Sequence, residues 1–293
     1  MASNKMLRKT LPAACLLLLG TLAACGSEGG SYSENTSSAE SALGSGGGPQ
    51  ACLVGTRSLR LGQRVTTVGG LATNALSIES GAVANGDANI NNTTTSQVRI
   101  SGGTINGNVQ IAGAAPSAAN GELINGGKII GTVTPGSAQQ SVLAVHAVPV
   151  GTANVTINPG NPPTSQILPG NYAQVTVNGS KLTFASGIFN LSSLVVNSGA
   201  QIVFDTSLGP VEINVQGSIA INGAASALGT GAVTLYSNSS SASNAVTLNA
   251  GVGKLPATIT APNGGIAIGS RNTVVGCVGG KDVVFEPDSH ISG

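Results

Sequence analysis

From Ala51 onward, aliphatic residues alternate with small or polar ones in short runs, and each run closes on glycine, asparagine or proline. Leu59-Arg60-Leu61, Leu76-Ser77-Ile78, Val98-Arg99-Ile100, Val109-Gln110-Ile111, Val155-Thr156-Ile157, Val233-Thr234-Leu235, Val246-Thr247-Leu248 and Ile266-Ala267-Ile268 each set two aliphatics around one outward position. A period of two predicts strands with one buried face. Between Leu168 and Gly223 the unit turn, strand, turn, strand is written nearly three times, and Phe184 and Phe204 hold equivalent places in successive copies. Such a repeat predicts stacked coils of about 20 residues, a right-handed parallel β-helix. Residues 51–293 would give roughly a dozen coils at about 4.8 Å each. The Asn-Gly pairs at Asn85, Asn106, Asn120, Asn125, Asn178, Asn222 and Asn263 are also compatible with hairpins, so an antiparallel sandwich is the competing fold. Ala112–Asn120 and Thr134–Pro163 break the pattern and are expected to leave the rod as loops or to carry a short cap.

The first 50 residues follow a different grammar. Lys5, Arg8 and Lys9 form a basic start, Leu11 to Leu22 an apolar run, and Leu22-Ala23-Ala24-Cys25 a small-residue cleavage region. The apolar run is too short for a permanent membrane span. Residues 1–24 read as a signal peptide cut after Ala24. Residues 25–50, rich in Ser, Gly, Glu and Asn, read as a flexible tether, and 51–293 as the β-helix domain.

Composition fits this division. The 293 residues include 43 Gly and no Trp, with 8% charged and 2% aromatic residues, whereas about a quarter of an ordinary globular enzyme is charged. At 41% hydrophobic the chain is too apolar for disorder. Formal charge is +1, and removal of Lys5, Arg8 and Lys9 leaves nine basic against eleven acidic residues. That balance gives no nucleic-acid surface.

The segment ending Leu22-Ala23-Ala24-Cys25-Gly26 resembles the bacterial lipobox, which implies acylation of Cys25 as the new N-terminus and, with Gly26 following, an outer-membrane destination. A second resemblance covers Ile167 to Ile291. Pro169-Gly170-Asn171-Tyr172, then Gly187, Phe189, Leu194, Asn197 and Gly199, then Gly209-Pro210-Val211, Ala261-Pro262-Asn263 and Val275 to Val283 are similar to a β-helical domain of uncharacterised function. That domain recurs in bacterial cell-envelope proteins, some of them labelled pilus-assembly proteins. The resemblance implies a fold and a location and brings no catalytic residues. Thr104 to Ile111 also resembles the coils of bactofilins, polymerising β-helices.

Candidate chemistry is sparse. A glycosidase needs two carboxylates about 5 to 10 Å apart, and the nearest pair by period is Asp205 and Glu212; edge solubility is their ordinary role. Arg271, Lys281 and Asp282 read as a solvated face rather than a lyase site. His146, in the apolar run Val142–Val150, is expected as a hydrogen-bonded, partly buried ring in a strand. Neither it nor His290 has the company a metal site requires. No phosphate-binding loop or nucleophile elbow occurs, and neither a metal nor a cofactor is implied. Cys52 and Cys277 remain after export, which invites a disulfide. Cys52-Leu53-Val54-Gly55 echoes Cys277-Val278-Gly279-Gly280, as neighbouring coils would, whereas a rod wound simply from N to C would hold the two apart.

The expectation is therefore a non-enzymatic envelope protein, held to the membrane by lipid at Cys25, whose rod serves structure, adhesion or assembly with an envelope glycan or surface protein as partner. A carbohydrate-binding or carbohydrate-cleaving β-helix is the alternative, although Tyr32, Tyr172 and Tyr236 offer little stacking surface. Ice binding, suggested by Thr132-Val133-Thr134 and Thr258-Ile259-Thr260, ranks third.

Overall fold

A computed structural model describes residues 51–91, 98–112, 124–136, 142–160, 165–249 and 251–293. The segments assigned above to signal, acylation site and tether lie outside the described residues, as does most of the irregular stretch Ala112–Asn120. The described chain is all β, and every registered strand pair is parallel. Strands stack as a β-solenoid of about ten complete turns, with partial turns at Val133–Pro135 and at Val155–Ile157 with Ser165–Ile167. Three flat faces result. Two form one 19-stranded sheet, and the third is made of a seven-stranded and a four-stranded sheet.

Alternation sets the inside. In Val211–Val215 the chain buries Val211, Ile213 and Val215, and the next coil places Val233, Leu235 and Ser237 on them. Phe184 and Phe204 stack with ring centroids 5.9 Å apart, one coil directly above the other, and Phe189 meets Phe184 edge-on. The core is a single column of aliphatic ladders running through the seam and both halves.

The Asn-Gly pairs at Asn85 and Asn106 serve coil corners, not hairpins, and Asn120 lies outside the described residues. A Cβ added to Gly86 would lie 2.4 Å from the Gly69 carbonyl oxygen, and one added to Gly107 would lie 2.2 Å from that of Gly86. Corner backbone rests on corner backbone, so only glycine fits. Corner asparagines pair across coils. Asn106 Nδ2 donates to Asn85 Oδ1 at 2.8 Å, Asn178 to Asn158 at 3.0 Å and Asn197 to Asn178 at 2.6 Å.

The order of the coils departs from expectation. Ala51–Leu61 pairs on one side with Gly70–Thr73 and Leu76–Ile78, and on the other with Val278–Phe285, the second-last strand of the chain. The chain therefore enters in the middle of the rod and winds outward through Val133–Pro135. It then crosses to the opposite end and winds back from Val155–Ile157 until His290–Ser292 lies beside Thr66–Val68. Against the expectation that Thr134–Pro163 leaves the rod as loops or carries a short cap, its described residues follow the rod. Val142–Val150 is an extended strap laid along one face, and it pairs in no strand ladder.

Candidate functional site

The strap explains an outward row that the alternation leaves chemically odd. On its face the register runs Asn171, Asn190, Asn214, Tyr236, Thr260, Gly279, Val54, Ala72, Asn89, Gln110. The ends of the row are amides, as a wet surface favours. The middle is apolar or small, and Tyr236, Thr260, Val54 and Ala72 are buried although they point away from the core column. Leu143 seats against Ala51, Val54 and Ala72. The His146 ring stacks on Tyr236 with centroids 3.7 Å apart, the His146 backbone N–H donates to the Tyr236 hydroxyl at 3.1 Å, and that hydroxyl donates back to the His146 backbone carbonyl. Burial raises the Tyr236 hydroxyl pKa, partly offset by its hydrogen bond with His146. Gly151 then donates to the Tyr172 carbonyl at 3.2 Å. From Leu143 to Gly151 the strap crosses about six coil intervals, roughly 29 Å, which is close to the full reach of eight residues at about 3.6 Å each.

His146 is thus hydrogen-bonded as expected, through Nε2 to Asn214 Oδ1 at 3.1 Å. Its setting differs: it belongs to the strap, not a strand, and is solvent-exposed as a residue. Asn214 passes the contact on, donating to Glu212 Oε1 at 2.8 Å. The Asp205 carboxylate, on the third face, accepts from the Ser207 hydroxyl and amide, which hold its pKa below the usual aspartate range. The sequence-predicted pair Asp205 and Glu212 therefore stands on two different faces, each member turned to a neighbour two residues away.

The second concentration of chemistry is the seam between the last coil and the first. Cys52 and Cys277 are disulfide-bonded, with Cα atoms 4.6 Å apart across a sequence separation of 225. Arg57 binds Asp282 through Nε at 2.7 Å and Nη2 at 2.5 Å, and Ser58 Oγ donates to the same carboxylate. Arg60 reaches Glu79 at 2.6 Å on one side and Glu286 at 3.9 Å on the other. Arg64 forms a fork with Asp288 at 2.6 and 2.8 Å, which depresses the aspartate pKa and raises that of the guanidinium. Among the described residues, the non-glycine residues at positive φ are Arg64, Arg271 and Asp288, on three successive coils at the seam. The grouping of Arg271, Lys281 and Asp282 is corrected accordingly, because Asp282 belongs to Arg57 and Ser58 and is nearly buried, while Arg271 lies in the field of Asp288.

Sequence reasoning missed these ion pairs and the strap. The available signals were the echo of the two cysteine segments and the failure of alternation in Leu53-Val54, where a strand covered on both sides needs no polar residue. Among the described residues no group of three or more His, Cys, Asp or Glu could hold a metal ion. Thr260 is buried, and the Thr132 hydroxyl is bonded to Asn108, so neither threonine pair belongs to an exposed ladder of free hydroxyls. Compared with protein-family models, curated proteins and solved structures, the chain matches none.

Proposed function

We propose that this chain is a bacterial envelope lipoprotein, acylated at Cys25, whose β-solenoid is a rigid non-enzymatic rod used in adhesion or envelope assembly. The observation that carries the reading is the lipobox joined by a Ser/Gly-rich tether to a solenoid that begins at its own waist. A tether ending at Ala51 leaves both ends of the rod and two of its faces free of the attachment point. The Cys52–Cys277 disulfide supports an oxidising compartment, since exported proteins keep such bonds and cytosolic ones rarely do. The carboxylates at the seam are engaged by arginines, and Asp205 and Glu212 stand on separate faces, which supports a structural role over hydrolysis.

Cells fed an alkynyl fatty acid should label the wild-type chain and carry it in the membrane fraction. Cys25→Ser should abolish both. A Cys25→Ser chain that still labels and sediments with lipid refutes the anchor. Protease added to intact cells then separates a surface rod from a periplasmic one.

A further inference from the structure

The third face is chemically unlike the other two. In its seven-stranded sheet one outward row runs Lys254, Thr273, His290, Thr66, Val83, Thr104, Lys128, each residue in register with the next. The parallel row beside it holds Val275, Ser292, Val68, Asn85 and Asn106. None of the seven strands contains a carboxylate. The face continues into the four-stranded sheet, joined by the Ala225 amide to the Val252 carbonyl, and there Lys181 is exposed. The one acidic residue in that sheet, Asp205, is taken up by Ser207. At the margins Asp288 is bound by Arg64, and Asp87 accepts the Asn108 amide.

The contrast lies in how the cations are used. Arg57, Arg60 and Arg64 are paired with carboxylates, and Arg99 donates to Ser101. Lys128, Lys181 and Lys254 are exposed, on strands of one face, and pair with no carboxylate among the described residues. Lys254 and Lys128 are six strand intervals apart, roughly 29 Å. Lys254 and Lys128 in one registered row and Lys181 further along the same face, with hydroxyls and amides at every coil between Lys254 and Lys128, suit a ligand that is linear, anionic and laid along the rod axis. An extended sugar chain advances by a step comparable to the coil spacing, so its hydroxyls and carboxylates can meet Thr273, Thr66, Thr104, Asn85 and Asn106 in turn. A membrane surface calls for a broad basic patch with apolar residues to insert; Val68 and Leu228 are exposed on this face, but its three lysines are spread along the rod and not gathered around them.

We infer that the third face, from Lys181 through Lys254 and His290 to Lys128, binds a linear acidic polysaccharide along the rod. This deepens the adhesive reading above and rests on it only for where the glycan comes from; acylation at Cys25 is tested separately. The experiment is titration of the full chain, purified in detergent, with polygalacturonate oligomers, neutral dextran of equal length and, using the Cys25→Ser chain, vesicles one-third phosphatidylglycerol. Polygalacturonate should bind, dextran should not, and affinity should fall as salt rises from low to physiological strength. The triple variant Lys128→Gln, Lys181→Gln, Lys254→Gln should lose about tenfold or more in affinity. Lys281→Gln, off this face, should match wild type. Both variants should keep the wild-type circular dichroism, since Lys128, Lys181 and Lys254 are exposed and Lys281 is only partly buried. The inference fails if polygalacturonate does not bind, if dextran binds equally, or if Lys281→Gln loses as much as the triple variant. Binding to vesicles without binding to polygalacturonate assigns the face to lipid instead and also overturns it.

Discussion

Thr67 is the residue at which the core departs from its own rule. It sits in Thr66–Val68, fully buried between Ile291 on one side and Ala84 on the other, and its hydroxyl has no hydrogen-bond partner among the described residues. An unpaired buried hydroxyl costs about 1 to 3 kcal/mol. Valine has nearly the same shape and no polar atom to leave unpaired. Thr67→Val should therefore stabilise the protein by about 1 kcal/mol, read as a higher urea midpoint at unchanged slope, and a lower midpoint would contradict this account of the site. Glycine at coil corners follows the opposite logic. There the missing Cβ is itself the requirement, because the carbonyl of the coil below already occupies that space.

At the scale of the element, the strap is decided by a few contacts. Leu143 fills a shallow apolar seat at the waist, and His146 and Tyr236 grip each other through ring stacking and two hydrogen bonds. Between these points it is exposed and has no ladder to hold it. Elements of this kind open locally well below the global unfolding free energy. Leu143→Ala should cost about 2 kcal/mol or more locally. The expected result is faster amide exchange and proteolysis within 142–150, while the coil strands exchange as in wild type. Uniformly faster exchange across the rod would show instead that the strap is part of the global cooperative unit. The strap's existence was not legible from its own sequence, since an apolar run reads equally well as a strand. It was written in the row beneath, where Val54, Ala72 and Tyr236 stand in places that elsewhere hold Asn or Gln.

At the scale of the whole molecule, the seam is the one coil junction among the described residues that is formed between segments distant in the chain. Other junctions are fixed by short covalent turns, and here that role passes to the disulfide and the arginine pairs. A double variant Cys52→Ala, Cys277→Ala should lose about 3 to 5 kcal/mol in chemical denaturation. Its remaining seam should also be sensitive to acid. The Asp288 pKa is held by Arg64 below the ordinary value of 3.8, so its contribution is present above that value and lost as pH falls through the depressed one. The double variant should lose stability more steeply below pH 4 than the same variant carrying Asp288→Asn, a residue that also tolerates positive φ. Equal acid profiles would remove Asp288 from the seam's support. The sequence by itself determined the coil: period-two alternation, a repeat near 20 residues and glycine corners are local requirements, repeated often enough to be read without a structure. Only the tertiary structure decided the order in which the coils stack. Parallel ladders between coils of similar cross-section are nearly interchangeable in backbone terms. The choice of neighbour therefore falls to side chains that meet across 225 residues, Cys52 with Cys277 and Arg57 with Asp282, and to a strap just long enough to carry the chain from the waist to the end where the second half starts to wind.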